Sequence, residues 1–383
     1  MTVELSSEQR SLVEALRDFC RRECGSREKR DELTNGGREV HSQPLYKKLA
    51  EAGYLGISIP EEYGGSGGDL LDQCLLHEEV YRGLLPLHPI GGTHTIAGIY
   101  RRYGNEAQKK EVLSAIANGA PMAISISEPE AGSDAANIKC QAVRRGDEFV
   151  INGQKTWCSA AQYAEGILLV ARTAQTGKRH EGLTMLYVPA DAEGLEIRPI
   201  QTMGGPMVND LYFTDVKVPA SAVVGTVGDG WRQLMEGLNG ERLVAAAEAL
   251  GMAARAFSDL LEYVKVRTQF GKPIGSFQAL RHRIADLAVE IEAARALQYS
   301  TVRMVQSASA PAQVLVRLTS MTKLKVTETA KRTALEGVQM MGGYGYSTEY
   351  DMEGLLREAI GPTIYSGTSE IQREIISGTY GLR

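Results

Sequence analysis

Apolar residues in the first third of the chain recur at helical spacing: Leu12, Leu16 and Phe19, then Leu45, Leu49 and Tyr54, then Leu75, Leu76 and Val80. Turn-forming residues separate these groups at Asn35-Gly36-Gly37, at Pro60 and at Gly64-Gly65-Ser66-Gly67-Gly68. The pattern predicts an all-helical region from Ser7 to about Gly119. Near Ala123 it changes to short runs of strand composition, at 123–127, 148–153, 166–171, 184–189, 195–200, 211–219 and 222–225. Gly, Asp and Pro separate these runs and no long amphipathic helix intervenes, which predicts a compact β-domain and disfavours a parallel dinucleotide-binding sheet. From about Trp231 the helical period returns in three long stretches, 238–270, 277–305 and 313–341. Long helices of this kind pack as an antiparallel bundle. The expected fold is therefore mainly α with a central β-domain, divided into domains at 1–121, 122–228 and 229–383.

Composition changes this picture little: 383 residues, 43% apolar and 23% charged, describe an ordinary globular chain and exclude a disordered or collagen-like one. A net charge of −5 leaves no basic face for a phosphate backbone, so no nucleic-acid partner is expected. No apolar run approaches the ~18 residues of a membrane span. The start, MTVELSSEQR, has neither the basic nor the apolar region of a signal peptide. A cytoplasmic protein is the expectation. Cys20, Cys24, Cys74, Cys140 and Cys158 are scattered, unlike a secreted disulfide framework, which suggests reduced thiols. Neither they nor the histidines fall at metal-site spacing, so no metal is expected.

Some motifs are formal matches only. Residues 64–68 fit the nucleophile-elbow pattern around Ser66, but inside a helical region they read better as a turn. No phosphate-binding GxxxxGK[ST] occurs, and Gly342-Gly343-Tyr344-Gly345 lacks the strand and third glycine of a Rossmann fingerprint. Other segments make sense together: Ser127-Glu128-Pro129-Glu130-Ala131-Gly132-Ser133-Asp134, Asn152-Gly153-Gln154-Lys155-Thr156-Trp157, Arg267-Thr268-Gln269-Phe270-Gly271-Lys272-Pro273-Ile274 with Phe277-Gln278, Gln339-Met340-Met341-Gly342-Gly343, and Gly367-Thr368-Ser369-Glu370-Ile371-Gln372-Arg373. In content, order and approximate spacing this set resembles the acyl-CoA dehydrogenase family, over essentially the whole chain.

The resemblance implies an N-terminal helical domain, a middle β-barrel-like domain and a C-terminal four-helix bundle, assembled as a homotetramer with one FAD per active site. It implies that Ile126 and Ser127 bond the pyrimidine edge of the flavin, that Ser133 lies near the pyrophosphate and the thioester ligand, that Trp157 packs on the ring, and that Ser159 bonds near N5. Read without the resemblance, Trp157 is simply a buried aromatic. Arg267, Phe270, Gln278, Gln339 and Gly343 resemble the cradle for the ADP end of a neighbouring subunit's FAD, and Thr368 and Glu370 match the family's C-terminal cofactor motif. Arg242, Tyr365, Ser366 and Gly367, with Ser133, match positions near the substrate.

The implied reaction is oxidation of an acyl-CoA to its trans-2-enoyl product, an α-proton passing to a carboxylate base and a β-hydride to flavin N5. An electron-transferring flavoprotein is the implied acceptor. Members often carry the base as glutamate directly before the C-terminal Gly-Thr, where this chain has Ser366. The isovaleryl-CoA and long-chain type instead places a glutamate on the first long helix of the last domain, and Leu238-Asn239-Gly240-Glu241-Arg242-Leu243 resembles that segment. Glu241 is therefore the expected base, the alternative being one more helix-surface carboxylate. By rough alignment, His88–His94 falls where members line the acyl pocket, so its glycines leave room for a bulky tail and its histidines meet an oxygenated group. Residues 203–210 form a shortened version of a loop near the thioester mouth. Two rival readings share the fold: a flavin oxidase or monooxygenase, and a non-catalytic subunit of a heteromeric dehydrogenase.

Overall fold

The computed structural model describes residues 4–382. Helices α1 (Ser7–Cys24), α2 (Arg27–Leu33), α3 (Gln43–Glu51), α4 (Leu70–Arg82), α5 (Ile90–Tyr103) and α6 (Glu106–Ala117) come first. Strands β1 (Met122–Ser125), β2 (Gln141–Arg145), β3 (Glu148–Ser159), β4 (Gly166–Arg172), β5 (Leu183–Pro189), β6 (Leu195–Thr202), β7 (Gly205–Pro219) and β8 (Val223–Val224) follow. The chain then forms α7 (Gly230–Val266), a hairpin of β9 (Thr268–Gln269) and β10 (Lys272–Pro273), and α8 (Gln278–Gln306), α9 (Ala312–Met341), α10 (Gly343–Tyr346), α11 (Met352–Ile360) and α12 (Ser369–Thr379). The expected helix, strand, helix order is present. Several helices start where side chains satisfy the free N–H groups of the first turn: Ser6 with Gln9, Asp69 with Asp72, and Asn105 with Gln108 form capping boxes.

The residues divide into two compact units. One holds the described residues up to Lys29, Asp69–Leu85 and Glu241 onward; the other holds Arg30–Gly68 and Pro86–Gly240. In the first, α7 turns an alanine-rich face inward, with Ala246, Ala249, Leu250, Ala253 and Ala256 against Leu287, Ile291 and Ala294 of α8 and Val326, Ala330 and Ala334 of α9. Small side chains let helix backbones approach, and at Gly251 the approach is closest: a Cβ there would stand 2.2 Å from the carbonyl oxygen of Glu78 on α4. Helices α11 and α12 pack on α9.

In the second unit, eight strands form one sheet in the order β6-β7-β3-β2-β4-β5-β8, with β1 pairing in parallel to β4 beside the path. β4 is apolar from Gly166 to Ala171 because both its faces are covered there. Ile167, Leu169 and Ala171 join Phe149, Ile151, Leu186 and Val188 on one side, while Leu168 and Val170 meet Ile96, Tyr100, Leu113 and Ile116 of α5 and α6 on the other.

Three local expectations differ from the structure. The sequence does not predict β2, because QAVRR carries no apolar alternation: the strand buries only Ala142 and leaves Val143 exposed. β3 continues to Ser159, well past the apolar run that predicts it. Residues 205–210, expected as a loop, are the first half of β7, paired to β6, and only Met203-Gly204 remains as the turn of that hairpin.

Candidate functional site

In the sheet unit, the segment after β1 is fastened to β3. Lys155, fully buried, donates from Nζ to the Ile126 carbonyl at 2.7 Å and to Glu128 Oε1 at 2.8 Å. Glu128 also accepts from the backbone N–H groups of Lys139 at 2.6 Å and Cys140 at 2.9 Å, and Thr156 N–H donates to the Ser127 carbonyl at 3.0 Å. Burial pushes the Lys155 ammonium below its usual range, opposed by the charge of Glu128.

The next residue, Trp157, has φ +59 and sits where the β3–β7 register shifts. A positive φ is unusual for a bulky side chain, and such conformations persist only where their surroundings hold them. Trp157 is 59% exposed, which corrects its reading as a buried aromatic. Ser159, two residues along the strand, is exposed too. This unit therefore brings Ile126, Ser127, Trp157 and Ser159 to one corner of the sheet. Ser133 stands farther along the chain, beyond the Glu128–Ala131 turn, and is also exposed. The histidines expected to meet substrate are engaged with backbone instead: His88 Nε2 lies 2.7 Å from the Met207 carbonyl and His94 Nε2 2.9 Å from that of Leu55.

In the helical unit, Arg267, Phe270 and Gly343 line a cleft of about 770 Å³ together with Phe277, Met341 and Tyr344. The Arg267 guanidinium lies over the Tyr344 ring at 5.2 Å, and Phe270, at the hairpin tip with φ +51, is 93% exposed. Gly343 faces open space. Gln278 and Gln339 adjoin lining residues in sequence and are exposed. Thr368 caps α12 by accepting from Ile371 N–H at 3.2 Å, and Glu370 pairs with Arg373 at its surface.

A second cluster of the same unit surrounds Glu241. This half-buried residue accepts on Oε1 a hydrogen bond from the Ser366 hydroxyl at 2.9 Å. Burial pushes its carboxyl above the usual range, against the opposing pull of that hydroxyl, Arg242 and Lys323. Arg242 beside it is buried, and burial lowers its guanidinium while Glu241 raises it.

Lys323, fully buried on α9, donates from Nζ to the carbonyls of Tyr365 at 2.9 Å and Gly367 at 2.7 Å, and burial lowers it to about 8. Gln372 on α12 donates from Nε2 to the carbonyls of Ser366 at 3.2 Å and Gly367 at 3.1 Å. Two side chains thus hold three successive carbonyls of a turn in which Ser366 and Gly367 have φ +55 and +82.

Deeper on α7, Glu248 is 5% exposed and meets His77 Nδ1 at 3.1 Å. Burial pushes Glu248 up to about 8 and His77 down to about 3, so at neutral pH the contact joins a carboxylic acid to a neutral imidazole. The sign of the linkage follows. A raised native pKa means that the stability Glu248 contributes is complete below about 4.5 and is lost as pH climbs to about 8. Glu248→Gln, a mimic of the protonated acid, should match the parent in urea unfolding at pH 5 and exceed it at pH 8.5 by roughly 3 kcal/mol. Parallel pH dependence in the two proteins would show that Glu248 is ionised in the fold.

Lys323, Gln372, Glu248, His77 and Lys155 were not singled out as site residues in the sequence. For Lys323 a signal exists: it lies three residues before Val326 and seven before Ala330, on the buried stripe of α9, where a lysine needs a partner.

Family models described as the N-terminal, middle and C-terminal domains of acyl-CoA dehydrogenase match residues 6–120, 123–216 and 228–380. Among curated relatives, the chain is 37% identical to a probable acyl-CoA dehydrogenase, YngJ, of Bacillus subtilis, covering 98% of this chain and 99% of that one. It is 33% identical to the CarC subunit of the caffeyl-CoA reductase-Etf complex of Acetobacterium woodii, covering 97% and 98%. The solved acyl-CoA dehydrogenase of Geobacillus kaustophilus superposes with a TM-score of 0.93 at 33% identity over the full length of both chains. Agreement in each of the three domain models, and with relatives along nearly the whole length, shows that the chain belongs to the acyl-CoA dehydrogenase family of oxidoreductases.

Proposed function

We propose that this chain carries FAD and oxidises an acyl-CoA to its trans-2-enoyl-CoA, with Glu241 as the base. The observation that carries the reading is the contact between Ser366 and Glu241. The residue before Gly367-Thr368, where members often have the catalytic glutamate, touches a carboxylate delivered by α7. A base must come within ~3 Å of the proton it takes, and Glu241 is aimed at that position from another element.

The residues present fit a flavin dinucleotide. Trp157 offers an open aromatic face on strained backbone beside Ile126, Ser127 and Ser159, while the cleft at Arg267 and Gly343 combines a cation, an exposed Phe270 and room for close backbone approach. Ser133, Gln278, Gln339, Thr368 and Glu370 complete the proposed cofactor set. When bound, FAD supplies the acceptor for the β-hydrogen and its electron pair.

The chain's own part is proton transfer and alignment. Glu241 takes the α-proton as the carbon–carbon double bond forms. Partial burial makes it a stronger base than an exposed carboxylate. On this reading the N–H of Ser366, on a turn that Lys323 and Gln372 hold by its carbonyls, polarises the thioester oxygen, and Arg242, Tyr365 and Gly367 contact the substrate. The domain division at 1–121, 122–228 and 229–383, a homotetramer and an electron-transferring flavoprotein as acceptor belong to the same proposal; the Etf in the name of the Acetobacterium relative supports the last.

Anaerobic titration with short, branched, long and bulky acyl-CoAs, following the oxidised-flavin absorption, tests the reading. Bleaching by one class is the expected result and names the substrate. A yellow protein that none of them bleaches would move the assignment to other thioester carriers or to oxygen chemistry. A colourless one would indicate a non-catalytic subunit.

A further inference from the structure

We propose that Ser366 is the positioning residue of Glu241: its hydroxyl fixes the carboxylate through Oε1, leaving Oε2 for the substrate proton, and its own aim is set by the Lys323–Gln372 clamp. The inference rests on Glu241 being the base. Four observations carry it. The hydroxyl donates to Oε1 at 2.9 Å. Ser366 holds φ +55, a conformation that serine seldom adopts unless its surroundings impose it. The carbonyls of residues 365, 366 and 367 are each held by a side chain, Tyr365 and Gly367 by Lys323 and Ser366 and Gly367 by Gln372. Gly367 cannot be replaced without displacing this arrangement, since a Cβ there would stand 2.6 Å from Gln372 Nε2.

The conformation of the turn directs Ser366 at the carboxylate, and the clamp supports that conformation. A hydroxyl that donates to one oxygen of a carboxylate removes its freedom to rotate and favours the ionised form, which is the form that accepts a proton. The charged and titratable groups acting on Glu241 come from three elements: Arg242 and Glu248 from α7, Lys323 from α9, and Ser366 and Tyr365 from the turn. Arg242, Lys323 and the Ser366 hydroxyl favour ionisation of Glu241, whereas Glu248 opposes it once it is itself ionised, at a pH near 8.

The test compares Ser366→Ala and Ser366→Gly with the parent holoenzyme. Glycine accepts positive φ, so this variant removes the hydroxyl while relieving the backbone, and it guards against a folding defect in the alanine variant. Two quantities are read: the pH dependence of the flavin-reduction rate with the best acyl-CoA, and infrared titration of the carboxylic-acid band that Glu241→Gln deletes, recorded without substrate. In both variants the acid limb and the band should move up by about one pH unit, with a reduction rate roughly tenfold lower below the limb and a smaller loss remaining above it, where the carboxylate is ionised and no longer held in its aim. A rate lowered equally at every pH, with limb and band unmoved, would make Ser366 merely structural and overturn the proposal. Failure of the underlying reading is distinguishable, because then Glu241→Gln itself would still reduce flavin.

Discussion

Glu241→Gln should bind FAD and acyl-CoA as the parent does and lose flavin reduction by a factor of about 10²–10⁴, the usual contribution of a positioned general base. Glutamine has the shape of glutamate and keeps an oxygen to accept from the Ser366 hydroxyl, so the turn at 365–367 and its clamp stay in place. What disappears is the capacity to accept a proton at that point. Rapid mixing under anaerobic conditions reads the reduction step alone, and the ligand-induced change in the flavin spectrum reads binding. Near-normal reduction in this variant would remove Glu241 from the mechanism. Loss of binding together with reduction would make its role structural.

Lys155→Met should lower stability by about 3–5 kcal/mol, because it leaves the buried Glu128 carboxylate without its counter-charge. The two backbone N–H groups that also serve Glu128 place the expectation toward the lower end of that range. The change also releases the Ile126 carbonyl, so the segment carrying Ile126 and Ser127 loses one of its ties to β3 just before Trp157. The variant is therefore expected to purify with less flavin per protein. Adding Glu128→Gln should restore part of the urea midpoint by removing the stranded charge, although the tie to Ile126 stays lost. An unchanged midpoint in Lys155→Met would mean that the pair adds nothing to the fold.

The large architecture was legible because period and length carry it. The three long C-terminal stretches became α7, α8 and α9, and the run at 166–171 became β4, apolar on both faces as a central strand must be. β2 was not legible, since a strand with one buried side chain leaves no alternation to read. The outward turn of Trp157 depends on a register shift between β3 and β7, which involves residues some fifty positions apart and so has no local signature. At the candidate base, sequence indicated Glu241 and Ser366 separately, through likeness to a family. Their meeting across 125 positions is a tertiary fact. Lys323 is legible only in part: its place on the apolar stripe of α9 marks a buried lysine, but its partners are backbone carbonyls, and these have no letter in the sequence.

That last point bears on how such an enzyme can change over evolutionary time. Lys323 and Gln372 grip the main chain at 365–367 and make no demand on the side chain carried at 366. The socket is thereby uncoupled from its occupant, and mutation can exchange what sits there while the loop that presents it persists. A lineage holding its base on α7 is then able to take up serine at 366, where the hydroxyl reaches that carboxylate. A lineage holding one at 366 is equally free to lose the one on α7. On the proposed reading of Glu241 as the base, a turn held through its backbone would seat either a carboxylate or a serine at 366 without breaking the fold, so one scaffold could carry the acid at either location.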